Sequence, residues 1–353
     1  MAGDAGSDDK AQGDGAPAPP PPTHTNDDGV VAIDTLMGGM TSVTAGYLLA
    51  APRPALVECG PALSVDNVIN GLRAIGMDPD DLAYLVVTHI HLDHAGGAGD
   101  VATAFPNATV VVSDIGARHL SDPERLNRSA GQVYGELYDT VYGDCTPIEA
   151  QRVKGVADAD TLDLGGGRKI ELMYTPGHAK HHIAVYDTGT GAIFSGDSVG
   201  VKLPGMTRLR PATPPADFHL EAALASIGRY REREPARVYL AHYGPVDPPD
   251  DALAEAEERL RLWAATAEAA YRQAIDEGDG AGGGGTTAAA NHELFHVAET
   301  LRQRFDDEFD LASVGDDPAA VERLELLSGY ESNAAGLLRY FRRRDAGTLT
   351  DVG

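Results

Sequence analysis

The chain is 353 residues long, with a formal net charge of −26 and 54 acidic residues against 28 Lys and Arg, of which only five are lysines (Lys10, Lys154, Lys169, Lys180 and Lys202). That balance argues against a nucleic-acid partner, because phosphate binding needs clustered Lys and Arg, and it predicts a high-salt cytoplasm, where a Debye length of about 3 Å at 1 M salt screens the self-repulsion. Two cysteines, Cys59 and Cys145, give no disulfide framework, and no run of 18 or more apolar residues offers a membrane span, so a soluble cytoplasmic protein with no membrane partner is expected.

Residues 1–28 are rich in Asp, Gly, Ala and Pro and carry too few large apolar side chains to offset their ordering entropy, which predicts a disordered tail. Val30–Asp34, Ser42–Ala50 and Ala55–Cys59 then read as short strands of an antiparallel meander. Ser64–Ile75 has helical spacing (Val65, Val68, Ile69, Leu72), with Ser64 as N-cap and Gly76 as terminator. Leu82–Thr88 reads as a buried strand, followed by a loop rich in His and Gly and a further helix. Thr109–Ser113 is a β-branched strand and Ile115–Leu120 a short helix. Tyr134, Tyr138 and Tyr142, spaced by four, predict one stripe of a helix that packs or acts as a lid. Ile170–Tyr174, Ile183–Asp187, Ala192–Ser195 and Val238–Leu240 form a second set of strands, with a helix over about 217–231. Two such halves suggest two sheets packed face to face with helices outside, an α/β (α+β) architecture over 29–249. Residues 250–353 read as a helical C-terminal extension with a flexible linker over 276–290 around Gly282–Gly285, and with helices near His292–Phe305 and Val321–Arg343. These helices are expected to gate a pocket or to form a homodimer interface.

Four strand ends deliver polar residues. They are His89-Ile90-His91-Leu92-Asp93-His94 after the Leu82–Thr88 strand, His178 after Ile170–Tyr174, Asp197 after Ala192–Ser195, and His242 after Val238–Leu240. Imidazole and carboxylate groups on loops held by rigid strands suit a catalytic metal. His89, His91, Asp93, His94, His178, Asp197 and His242 make seven candidate ligands, whereas one catalytic zinc takes about three protein ligands and water. Two ions roughly 3.5–4 Å apart would use them all. A nitrogen and oxygen ligand set without sulfur suits zinc, and also iron or manganese. His182 is read as either supporting or structural, and Tyr243 as able to reach an oxyanion though better suited to packing. His24, His119, His219, His292 and His296 have no such context. Ser195 lacks the G-x-S-x-G elbow of serine hydrolases.

The segments His89–Gly97, Thr175-Pro176-Gly177-His178, Phe194-Ser195-Gly196-Asp197-Ser198 and Ala241-His242 resemble, in order, the motifs of the metallo-β-lactamase-fold hydrolases, particularly the branch of glyoxalase II and the acyl-homoserine lactonases. The resemblance covers about residues 30–245 and implies a four-layer αβ/βα sandwich. It implies His89, His91 and His178 on one ion, Asp93, His94 and His242 on the other, and Asp197 bridging. Glu58, in Val57-Glu58-Cys59-Gly60, stands where the family usually has a supporting Asp. The implied reaction is cleavage of a small-molecule thioester, ester or lactone by a hydroxide bridging two divalent ions, expected to be zinc, with Asp93 orienting it and carrying its proton. Tyr134 and Tyr138 are candidate substrate contacts, and Arg302, Arg304 and Arg342–Arg344 would be available to hold the carboxylates of a glutathione-like carrier. The alternative from the same fold is a mononuclear iron persulfide dioxygenase. A nuclease of this fold is disfavoured by the charge.

Overall fold

The computed structural model describes residues 22–215, 217–279, 287–306 and 319–350. A seven-stranded sheet takes its strands in chain order: β1 (Thr23–Thr25), β2 (Val30–Asp34), β3 (Ala45–Leu49), β4 (Ala55–Val57), β5 (Tyr84–Val86), β6 (Thr109–Ser113) and β7 (Val153–Val156). The first four are antiparallel, and β4 to β7 are parallel. Parallel neighbours need crossovers. These are supplied by α1 (Val65–Ala74), by α2 (Leu92–Ala95) with α3 (Ala98–Ala104), and by α4 (Asp114–Ser121) with α5 (Glu124–Tyr134). A six-stranded sheet is ordered β13 (Gly244–Val246), β12 (Arg237–Leu240), β11 (Ala192–Phe194), β10 (Ile183–Asp187), β9 (Arg168–Tyr174) and β8 (Thr161–Gly165).

Alternation along the strands builds the layers. Ala55, Val57, Val86 and Val111 face inward onto Ile170, Leu172, Val185 and Phe194 of the other sheet. Their neighbours Leu56, Leu85, Val110 and Val112 face outward under Val65, Val68, Ile69 and Leu72 of α1. Strands apolar on both faces are buried on both. The outer face of the second sheet (Met173, Ala184, Ile193, Val238) is covered by α6 (Leu220–Glu232), α7 (Pro249–Asp279), α8 (Thr287–Phe305) and α10 (Tyr330–Asp345). The order is helices, sheet, sheet, helices: the four-layer αβ/βα sandwich expected, with C-terminal helices. Trp263 of α7 stacks between Phe305 and Tyr330, with centroids at 5.0 and 5.6 Å, so this layer is tied together by aromatic pairs each contributing about 0.5–1.5 kcal/mol beyond burial. No helix among the described residues is long and apolar enough to cross a membrane.

Several local expectations change. Residues 1–21 of the expected tail lie outside the described residues, but Thr23–Thr25 within it form an edge strand paired to β2, and Asp28 accepts from the Tyr239 hydroxyl. Ser64 sits at the start of α1, yet its hydroxyl makes no cap; it ends a 3-10 turn (Ala62–Ser64) and is buried. The tyrosines do not share one helix: Tyr134 ends α5, Gly135 turns the chain at φ +55°, and Tyr138–Tyr142 form a separate π turn. The linker is narrower than 276–290, since α7 runs to Asp279 and α8 starts at Thr287; Gly282–Gly285 lie outside the described residues. The last helical stretch is two helices, α9 (Ala319–Ser328) and α10, parted at Gly329. Strands β7, β8 and β13 escape the sequence reading. Of these β13 contains Pro245 and survives because it lies on an edge.

Candidate metal centre

Because β9 and β11 both run antiparallel to β10, and β12 runs parallel to β11, their carboxyl ends share one edge. His178, Asp197 and His242 follow those ends. The His89–His94 segment arrives from β5 in the other sheet, and Asp93 and His94 sit on the single turn of α2. Two main-chain bonds fix the sheets to each other at this edge: Ile183 N–H to Thr88 O at 2.8 Å and Ala45 N–H to Ala241 O at 3.0 Å. Gly196 has φ +51°, and a Cβ there would lie 2.5 Å from Thr88 Oγ1 and 2.6 Å from His182 Nε2; only glycine lets the Asp197 turn approach so closely.

The candidate ligand atoms gather into three groups, His89/His91/His178, His89/His94/Asp197 and Asp93/His94/His242, each within 4.8 Å. Their tautomers follow from the outer nitrogens. The Thr88 hydroxyl donates to Glu58 Oε1, so it accepts from His89 Nδ1–H at 2.9 Å. His178 Nδ1–H donates to Ala212 O at 3.1 Å, and His242 Nδ1–H to Val43 O at 2.8 Å. In the neutral ring each Nε2 is then an inward lone pair. The Nε2 atoms of His89 and His178 lie 2.9 and 3.1 Å from His91 Nδ1. A single proton on His91 can satisfy only one of them, whereas a cation among the three satisfies all. Across the centre, His242 Nε2 faces Asp93 Oδ2 at 3.4 Å and Asp197 Oδ1 at 3.3 Å, and His94 Nε2 faces the same two carboxylates at 3.4 and 3.3 Å. Asp197 Oδ2 is 3.4 Å from His178 Nε2, so this carboxylate touches both halves.

The electrostatics divide the same way. Burial and the neighbouring imidazoles push His89 well down, and burial pushes His91 down to about 3. Burial would also lower His94 and His242, but the carboxylates of Asp197 and Asp93 override it, holding His94 well above its ordinary value and His242 at about 9. Burial opposes ionisation of Asp93 and Asp197, yet His94 and His242 keep both below the usual carboxylate range. His94 Nδ1 and Nε2 and Asp197 Oδ1 are buried with no hydrogen-bond partner. Buried polar atoms are normally paired. Orphans around converging lone pairs and carboxylates are what divalent cations would satisfy, so the donor set fits two such ions.

Glu58, at φ +66°, bonds Thr88 and lies 3.4 Å from His94 Nδ1, behind the ligand groups. His182 bonds Thr175 Oγ1 through Nδ1 at 2.9 Å and belongs to no ligand group. Tyr243 turns its hydroxyl to Asp34 and Ser42, away from the centre. A cavity of about 310 Å³ opens on His91, Asp93, His178 and Asp197. Tyr134 and Tyr142 line it, stacked at 4.2 Å. Tyr138 does not; it bonds Asp144 because the break at Gly135 rotates it outward. Leu326, Leu327 and Ser328 of α9 with Ser332 and Asn333 of α10 also line the cavity, residues that sequence reading did not single out. Their only trace was an apolar pair ahead of Gly329. Neither Lys nor Arg lines the cavity. Arg302 instead lies over the Tyr330 ring, Arg304 over Phe305, Arg342 pairs with Glu293, and Arg344 pairs with Glu268.

The sequence profile of the metallo-beta-lactamase superfamily matches residues 25–242. A metallo-beta-lactamase fold-containing protein of Sulfurisphaera tokodaii is 34% identical over 216 residues, 60% of this chain and 80% of that protein. A solved archaeal superfamily protein from Sulfolobus tokodaii superposes with a TM-score of 0.56 at 28% identity, covering 66% of this chain and 85% of that one. An N-acyl homoserine lactonase of Bacillus thuringiensis is 26% identical over 184 residues, 50% of this chain and 62% of the lactonase. With its motifs, its layered sheets and its converged imidazoles and carboxylates, the chain belongs to the metallo-beta-lactamase superfamily.

Proposed function

We propose that this protein is a hydrolase of the lactonase-like branch, holding two divalent ions, zinc first and iron or manganese as alternatives, and cleaving an ester, lactone or thioester with an apolar acyl group. The observation that carries this reading is the cavity: its floor is the ligand cluster, its walls are Leu92, Leu126, Tyr134, Tyr142, Leu326 and Leu327, and it contains no cationic side chain. An apolar pocket with a few polar groups at one end suits an acyl chain whose carbonyl meets the metals. A polyanionic carrier of the glutathione kind fits poorly, because neither Lys nor Arg lines this cavity and Arg302, Arg342 and Arg344 are engaged in surface pairs and aromatic stacking. Likeness to an acyl-homoserine lactonase supports the same class.

His89, His91 and His178 would hold one ion, Asp93, His94 and His242 the second, and Asp197 both. Ions there would acidify a water and polarise the substrate carbonyl. Asp93 is placed between His94 and His242 with its carboxylate ionised, so it can orient that water and take its proton. Tyr134 and Tyr142 cover the acyl chain and keep bulk water out. The test is metal analysis of protein purified without chelator, with a screen of lactones, esters, thioesters, β-lactams and phosphodiesters in high salt. Two zinc ions per chain and turnover of long-chain lactones or esters are expected, with activity abolished in His91→Ala and Asp197→Ala. One iron per chain with sulfur-dependent oxygen uptake would replace this reading by the dioxygenase one.

A further inference from the structure

His181 belongs to none of the three ligand groups, yet it lines the cavity beside them. Its ring is buried, edge-on to His91 at 5.9 Å and near-parallel to His89 at 6.1 Å. Its neighbours are otherwise engaged: Lys180 pairs with Asp217 at 3.5 Å and His182 bonds Thr175. His181 Nδ1 is sealed from solvent without a hydrogen-bond partner. A buried N–H left without an acceptor costs about 1–3 kcal/mol, and a bare acceptor nitrogen is better tolerated. The neutral ring of this cavity-lining residue is therefore assigned its proton on Nε2 and not on the sealed Nδ1.

Resting on the hydrolase reading above, we propose that His181 is a catalytic residue whose Nε2–H donates a hydrogen bond to the substrate's carbonyl oxygen. As the oxygen of water bonds to the carbonyl carbon, the carbonyl π pair moves onto that oxygen, and His181 stabilises the charge without giving up its proton. When the pair returns, the bond to the alkoxide or thiolate breaks, and the leaving group takes the proton that Asp93 received from the water. This adds a neutral imidazole donor beside the carboxylates and ligand nitrogens, in a cavity that also holds the hydroxyls of Tyr134 and Tyr142.

The test uses the zinc-loaded full chain, with His181→Phe keeping a ring and His181→Gln keeping a donor near the Nε2 position. In His181→Phe, kcat on the best lactone or ester is expected to fall about 10²–10³-fold, with KM changed less than about threefold and zinc per chain unchanged; His181→Gln recovers at least about tenfold. Octanoate serves as a second probe, since its carboxylate accepts the same bond: its Kd by titration calorimetry should rise about tenfold in His181→Phe and stay near wild type in His181→Gln. Unchanged kcat, lost zinc, equal Kd in all three proteins, or no octanoate binding by the wild type overturns the proposal. If the wild type hydrolyses nothing while the octanoate series behaves as stated, the hydrolase reading falls and the donor assignment stands.

Discussion

At the scale of single residues, the centre is a set of imidazoles whose outer N–H groups are tied down so that their inner lone pairs converge. In the metal-free protein, protons on His94 and His242 take the place of cations between the carboxylates. His242 is raised to about 9, so its contribution to metal-free stability is fully present below its unfolded value near 6.5 and is lost as pH rises toward 9. His91 is depressed to about 3 and acts oppositely, contributing above about 6.5 and losing that as pH falls. Zinc bound at this centre would displace the protons of the raised pair. Calorimetry in buffers of different ionisation enthalpy at pH 7.5 should therefore register proton release on zinc binding, and the affinity should climb with pH and level off near 9; a flat profile contradicts the geometry. Removing the carboxylate charge behind His94 in Glu58→Gln should weaken zinc binding about 10–100-fold with the fold intact. Gly196→Ala should cost about 1–3 kcal/mol from backbone strain alone, read by urea unfolding.

At the scale of elements, α9 and α10 matter to the centre through a loop between them and the candidate metal ligands. Asn333 accepts from Thr213 N–H at 2.8 Å and from its hydroxyl, and Ala212 beside it holds His178. Arg210, buried under Tyr330, donates to Ser328 O and to the Tyr330 hydroxyl. Gly336 lets α10 approach so closely that a Cβ would fall 1.9 Å from Thr213 O. Asn333→Ala should thus cost about 1–3 kcal/mol of stability and also weaken zinc binding, a pairing that a purely peripheral helix would not produce. The candidate ligand loops were legible because one carries four polar side chains and three others one each, all shortly after an apolar strand. The α9–α10 wall was not, because single side-chain bonds to a distant backbone leave no spacing pattern. Strands such as β1 and β7 were missed for a related reason: they are short edges held by ladder bonds, with few apolar residues of their own. The fourfold tyrosine spacing misled because one glycine at positive φ outweighs it.

At the scale of the whole molecule, a charge of −26 sits on a fold whose interior is ordinary. Its Tm should rise between dilute buffer and molar KCl, measured by scanning calorimetry at fixed zinc; equal values would sink the high-salt reading. Two of the main-chain bonds joining the sheets, Ile183 to Thr88 and Ala45 to Ala241, lie at the edge where each sheet supplies part of the candidate ligand set. Any ion bound there straddles the seam between the two halves of the chain and acts as a rivet whose strength is set by free metal concentration. Chelation should then speed deuterium uptake at the Ala45 and Ile183 amides while leaving those in the middle of α1, far from the seam, as slow as before.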